Sequence, residues 1–205
     1  MVRFADPTVV ISRSGQTERR EAFNKQADAI GLQSWGYFDA FDGERMQLST
    51  LAGSAHGREG RPAPQPLKPT ELGCLLSHLA IVRAAEAFHI QTIAILEDDI
   101  QFSEDFCDHW EAFMAEVPAD WIMIHGAGDH GGMPETAMPQ PVSPLVCRVG
   151  QSYGTRFMLM RREAILRLSM HSAAHLCSEP ADWLLLELFA TERVYTPRKW
   201  LMRHR

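Results

Sequence analysis

Two short runs in this chain carry β-branched and apolar residues with no polar alternation: Thr8–Ser12 (TVVIS) and Thr92–Leu96 (TIAIL). A strand with one face in water alternates apolar and polar side chains; a run without alternation is covered on both faces. Two such strands therefore call for helices on both sides of a sheet, the layering of an α/β fold. The intervening segments can supply those helices. Phe23, Ala27 and Ile30 recur at helical spacing, with Thr17 able to cap the start and Gly31 to stop it. Ser34–Phe38 reads as a second strand. Over Glu71–Phe88, Leu72, Leu75, Leu76, Leu79 and Val82 form a wide apolar stripe behind Thr70, a possible cap. Ser103 is placed to cap a helix in which Phe106, Trp110, Phe113 and Val117 share a side. Asp120–Ile124 and Thr155–Met160 read as strands and Arg161–Met170 as a helix. Pro180 suits the first turn of a short helix carrying Asp182, and Val194–Thr196 is a last short strand. The expectation is one α/β/α sandwich domain over residues 1–205, with a central mixed, mostly parallel sheet.

Two stretches break the pattern. Residues 49–69 and 126–144 are rich in glycine and proline and keep no period, so they read as long loops able to cover a substrate. At 205 residues the chain can bury a core without disulfides or metals. Its cysteines, Cys74, Cys107, Cys147 and Cys177, lie at least 30 residues apart, which excludes a CxxC zinc or redox motif and fits reduced thiols in the cytoplasm. The net charge of −6 argues against nucleic acid as a partner. Arg193–Arg205 nevertheless holds five basic residues and no carboxylate, a tail that could contact the inner membrane peripherally or simply be solvated. No stretch approaches the ~20 apolar residues of a membrane helix, and the first residues lack a signal-peptide core.

The sharpest chemical signal is AILEDDIQF, in which an apolar strand ends in Glu97, Asp98 and Asp99. Ligands of open α/β sheets bind beyond the carboxyl ends of strands. Adjacent carboxylates repel unless a cation or proton lies between them, and Mg²⁺ or Mn²⁺ prefers such hard oxygen ligands. Strand alternation would send Glu97 and Asp99 to one side and Asp98 to the other. The competing explanation is a solvated acidic turn.

Taken in order, several segments resemble glycosyltransferase family 25, the group that includes lipopolysaccharide and lipooligosaccharide sugar transferases. VVISRSGQTERREAF is similar to the family's first strand and helix start through Ile11, Ser12, Thr17, Glu18, Arg19 and Arg20. FDAFDGERM matches through Phe38, Ala40, Asp42 and Gly43. LKPTELGCLLSHLAIVRAA matches through Gly73, Cys74, Ser77 and His78. The acidic strand end, the run GTRFMLMRREAILRL and the late segment EPADWLL complete the series.

The resemblance implies a GT-A-like fold, a UDP-sugar donor, Mn²⁺ or Mg²⁺, and inversion at the anomeric carbon. On its terms Asp99 and Asp98 are the metal ligands and Glu97 orients ribose or acceptor. Asp182 is the candidate general base. Ile11 and Ser12 present backbone to uracil, and Arg13, Arg19 and Arg20 face the diphosphate. Asp39 or Asp42 holds a nucleoside hydroxyl, and Ser77 or His78 faces the sugar. Ser77 and His78 are helix neighbours diverging by about 100°, so they do not form a nucleophile pair. The implied function is inverting transfer of galactose or glucose to a lipopolysaccharide, lipid-linked oligosaccharide or other glycan acceptor. The alternatives are a metal-dependent phosphohydrolase using the same acids, and a non-catalytic nucleotide-sugar-binding or scaffold protein.

Overall fold

Strand β3 (Thr92–Glu97) is the spine of the molecule, buried along Ile93, Ala94, Ile95 and Leu96. The structure is a computed structural model that describes residues 1–46, 67–128, 138–171, 181–199 and 201–204. On one side β3 pairs in parallel with β1 (Thr8–Ser12), which pairs in parallel with β2 (Trp35–Asp39). On the other side it pairs antiparallel with β8 (Phe157–Arg161). The sheet continues through β5 (Met123–Gly126), β9 (Val194–Pro197), β7 (Val146–Arg148) and β6 (Gln140–Pro141), in the order β2-β1-β3-β8-β5-β9-β7-β6. Three of its pairings are parallel and four antiparallel. The sheet is therefore mixed and not mostly parallel: β8 enters between β3 and β5 against the direction of both.

Alternation along the central strands sorts the core into two layers. Ile93 and Ile95 of β3, with Met158 and Met160 of β8, pack under α2 (Pro69–Ala87) and α4 (Arg162–Ser169). Ala94 and Leu96, with Phe157 and Leu159, pack under α1 (Thr17–Ile30) and α3 (Phe106–Glu116). The result is an α/β domain whose central sheet is flanked by helices on both faces. On the α1 side an aromatic group built on Phe4, Phe106, Trp110 and Phe157 fills the layer, mostly edge to face.

Helix ends differ from the sequence reading in instructive ways. Gly31 does end α1, in the left-handed conformation at φ 62°. Thr17 is already inside α1: a turn from Arg13 lets the Gln16 carbonyl accept the first helical bond from Arg20. Thr70 is likewise inside α2, whose start is fastened by the Glu71 carboxylate accepting the Lys68 N–H at 2.8 Å. Ser103 precedes α3 by three residues, with Asp105 at the cap position; its N–H donates to the Leu201 carbonyl and its own carbonyl accepts the Phe106 N–H. The far end of α2 is closed by Arg162, which donates to the carbonyls of Ala85 and Glu86.

The basic tail is not simply solvated. Leu201 and Met202 are buried, and β10 (Met202–His204) pairs antiparallel with β4 (Ile100–Phe102), the strand that begins one residue after Asp99. Arg193 pairs with Glu163 and Lys199 with Asp105. Most of the two glycine- and proline-rich stretches, residues 49–66 and 129–137, lies outside the described residues. The second stretch also contains the short strand β6. No helix among the described residues is long and apolar enough to cross a membrane.

Leu75 of α2 is fully buried against this core. Leu75→Ala should cost ~2–5 kcal/mol, read as a fall of roughly 5–15 °C in melting temperature. A shift under 2 °C would mean that α2 does not pack as described.

Candidate functional site

The site forms where β1, β2 and β3 end together. β3 and β1 run in register to Glu97↔Ile11, and β1 and β2 to Ser12↔Asp39, so the parallel strands deliver their last side chains to one edge. Alternation then divides the acidic run. Glu97 continues the Ile93–Ile95 side and points toward α2, whereas Asp98 continues the Ala94–Leu96 side and points toward α1. Asp99 departs from the simple alternation. Asp98 and Asp99 form the turn between β3 and β4, and both approach Arg19.

On the α1 side, Asp98 is buried and held at both oxygens. The Ser12 hydroxyl donates to one at 2.7 Å, and Arg19 Nη1 donates to the other at 3.1 Å. The same Nη1 lies 3.7 Å from Asp99 Oδ2. The Asp98 N–H is anchored on the carbonyl of Ile11, whose side chain is in the core. Arg20 braces the ends of β1 and β2. It donates to the Ser12 carbonyl at 2.8 Å and the Ser12 hydroxyl at 3.1 Å, reaches Asp39 at 3.4 Å and lies over the Tyr37 ring. Asp39 also accepts the Ser14 N–H, and Arg13 reaches Asp42 at 3.4 Å. Ile11, Ser12, Arg13, Arg19, Arg20, Asp39, Asp42, Asp98 and Asp99 are thus gathered in one neighbourhood.

The turn after β2 is docked on the start of α2, and two glycines make that contact possible. A Cβ on Gly43 would stand 1.7 Å from the Pro69 carbonyl oxygen, and one on Gly73 would stand 2.5 Å from the Phe41 carbonyl oxygen. Ser77 seals the same joint. It is fully buried, accepts the Phe41 N–H at 2.9 Å and donates to the Gly73 carbonyl at 2.7 Å. The structure therefore places Ser77 in the scaffold beneath the site.

On the α2 side lies a cleft of about 280 Å³ lined by Thr70, Glu71, Cys74, Glu97, Gly154, Thr155, Arg156 and Ala181. Glu97 enters it from β3 and accepts a hydrogen bond from the Thr155 hydroxyl at 2.7 Å. Beneath it His78 is buried, with Nδ1 3.0 Å from the Cys74 carbonyl and Nε2 3.4 Å from the Thr155 carbonyl and 3.6 Å from Glu97. Both ring nitrogens therefore face acceptors, which suits the doubly protonated ring. Burial opposes that charge, but the Cys74 sulfur and carbonyl and the Glu97 carboxylate outweigh it and raise His78 to about 9. Asp182 follows cleft-lining Ala181 in the 3-10 turn Ala181–Leu185; its side chain is outside the description.

Sequence reasoning missed Thr155 and Arg156. They precede β8, and only the antiparallel β3–β8 pairing, with the Glu97 N–H on the Arg156 carbonyl, brings them beside the acidic run. The GTRF segment carried no sign of that pairing.

Two donor sets could hold a cation. Asp98 and Asp99 offer hard oxygens, the type of donor that Mg²⁺ or Mn²⁺ prefers, which converge on one positive group, Arg19 Nη1. Cys74, His78 and Glu97 have ligand atoms within 4.8 Å of one another. That sulfur–nitrogen–oxygen set suits a softer ion, and the protonated His78 already satisfies it by hydrogen bonds.

The mixed central sheet and the helices on both its faces make this an α/β domain that resembles GT-A-like folds. The chain belongs to glycosyltransferase family 25 (LPS biosynthesis protein), whose family model matches residues 5–135. It is 32% identical over 105 residues to a glycosyltransferase 25 family member of Anopheles gambiae, covering 47% of this chain and 17% of that protein. It is 26% identical over 163 residues to the inactive glycosyltransferase 25 family member 3 of Homo sapiens, covering 76% of this chain and 27% of the relative. The chain thus spans well under half of either relative. Among solved structures, UDP-glucose pyrophosphorylase complexed with UDP-glucose superposes with a TM-score of 0.52 at 8% identity, covering 98% of this chain and 92% of the other; this likeness concerns the fold.

The raised His78 value sets a pH window. A folded pKa near 9 against an ordinary 6.5 means the protonated ring stabilises the fold fully below about pH 6.5. That contribution is lost as pH rises through about 9. NMR titration of the His78 ring should give a midpoint near 9, and the urea midpoint should fall across the same window. A ring midpoint at or below 6.5 would show that burial prevails.

Proposed function

We propose that this chain binds a UDP-sugar together with Mn²⁺ or Mg²⁺ at the ends of β1, β2 and β3. The observation that carries the reading is the convergence of buried Asp98 and half-buried Asp99 on the charge of Arg19, beside Ser12 and Arg20. Asp98 and Asp99 would hold the ion, which when bound neutralises charge on the phosphates. Arg19 and Arg13 contribute positive charge toward the diphosphate, with Arg20 bracing the strand ends beneath it. Asp39 or Asp42 takes a nucleoside hydroxyl. The cleft on the other side of β3 is small enough for one sugar, and Glu97, oriented by Thr155 and His78, accepts hydrogen bonds from its hydroxyls.

Two readings of that binding remain distinct. Donor binding without transfer is favoured by the name of the human relative, an inactive family member. Inverting transfer of galactose or glucose to a glycan or lipid-linked acceptor is favoured by the intact acidic run and by Asp182 next to the cleft, in the role of general base. In that step the acceptor hydroxyl attacks the anomeric carbon, its proton passes to Asp182, and UDP departs on the Arg19 side.

Calorimetry with UDP, UDP-galactose and UDP-glucose, with and without Mn²⁺, tests the common core. Mn²⁺ should tighten nucleotide binding, and Asp99→Asn should remove roughly tenfold or more of that gain, about 1.4 kcal/mol. Equal binding by wild type and variant would remove Asp99 from the metal site. UDP release that depends on a glycan acceptor would select transfer, and binding without release would select the non-catalytic reading. Phosphate release from simple esters would point to a phosphohydrolase.

A further inference from the structure

We propose that Arg19 is a tethered counter-ion, which holds the Asp98–Asp99 pair in the absence of a divalent cation and turns to the donor's diphosphate when one binds. The inference rests on the metal-and-nucleotide reading above and adds a coupling to it.

The partners of Arg19 differ from those of its neighbours. Arg13 is paired with Asp42, and Arg20 with Ser12 and Asp39. Only Arg19, of these three, sits on the oxygens that a cation would need, at 3.1 Å from Asp98 and 3.7 Å from Asp99. The carboxylates have little freedom to avoid the competition. The Asp98 side chain is 7% exposed and its second oxygen is fixed by the Ser12 hydroxyl, itself held by Arg20; the Asp99 side chain is 17% exposed. The Arg19 side chain is 49% exposed and is the member of the cluster that can move.

The charges set the direction of the exchange. One guanidinium offsets one of two adjacent negative charges, whereas a divalent ion offsets both. Once displaced, Arg19 remains tethered to the first turn of the 14-residue α1, where the helix dipole also favours an anion. Cation and diphosphate therefore assist one another: the cation frees Arg19 for the phosphates, and the phosphates take up the Arg19 that the cation must displace. Such coupling is reciprocal, so each ligand tightens the other by the same factor.

Electron paramagnetic resonance of free Mn²⁺ measures this without any turnover. Mn²⁺ is titrated into wild type, Arg19→Gln, Arg19→Lys and Asp99→Asn, each with and without UDP, with thermal melts to verify folding. Arg19→Gln should bind Mn²⁺ alone roughly three- to tenfold more tightly than wild type, and the factor by which UDP tightens Mn²⁺ should shrink by a similar amount. Arg19→Lys, which keeps the charge, should bind Mn²⁺ alone as weakly as wild type. If Arg19→Gln gains nothing while Mn²⁺ with UDP still binds, the counter-ion role is overturned and the metal site stands. If Lys tightens binding as Gln does, charge competition is overturned. If wild type binds no Mn²⁺ even with UDP, the metal reading fails and takes this inference with it.

Discussion

Asp98 ties the turn after β3 to β1 and the start of α1, its carboxylate held by side chains 79 and 86 residues away in sequence. Its N–H is held by Ile11 of β1, one carboxylate oxygen by Ser12, and the other by Arg19 of α1. A buried carboxylate persists only where its charge is answered by donors, and here the donors are the ends of the neighbouring strand and helix. The parallel pairing of β1 with β3 is what brings them there. The same register aligns β2, so that Asp39 joins the network from the outer strand and meets Arg20 of α1.

The strand that leads into Asp98 also separates two chemistries. The α1 side of the acidic run is crowded with arginines and carboxylates and suits phosphate and cation. The α2 side is a small cleft in which a protonated His78 and the Thr155 hydroxyl orient Glu97. One residue of displacement along β3 moves a carboxylate from one environment to the other. On the proposed reading, the two halves of a nucleotide sugar would meet these different surroundings.

Much of this was legible in the residues. The unalternating runs at Thr8–Ser12 and Thr92–Leu96 marked the central parallel strands, and the acidic end of the second marked the site. The antiparallel entry of β8 was not legible, because the apolar run Phe157–Met160 looks the same in either direction. Thr155 and Arg156 were hidden with it. Thr17 and Thr70 lie inside their helices, where the Arg13–Gln16 turn and the Glu71 contact with the Lys68 N–H set the starts, and Ser103 lies ahead of α3 with its carbonyl accepting the Phe106 N–H. The sequence leaves open whether Ser77 or His78 faces a sugar, because a small hydroxyl between two backbone segments serves equally well as the structural rivet that Ser77 forms. The terminal strand β10 could not be foreseen from its basic composition: its pairing depends on Ile100–Phe102, a hundred residues earlier.

The Gly43–Pro69–Gly73 joint also sets a steric limit. A Cβ at either glycine would run into a carbonyl oxygen of the opposing segment, so even an alanine there would wedge the turn after β2 away from α2. Parting the two would take the Phe41 N–H off Ser77 and leave that buried hydroxyl short of a partner. The distance between the outer strand and the start of α2 is thus set by two absent side chains.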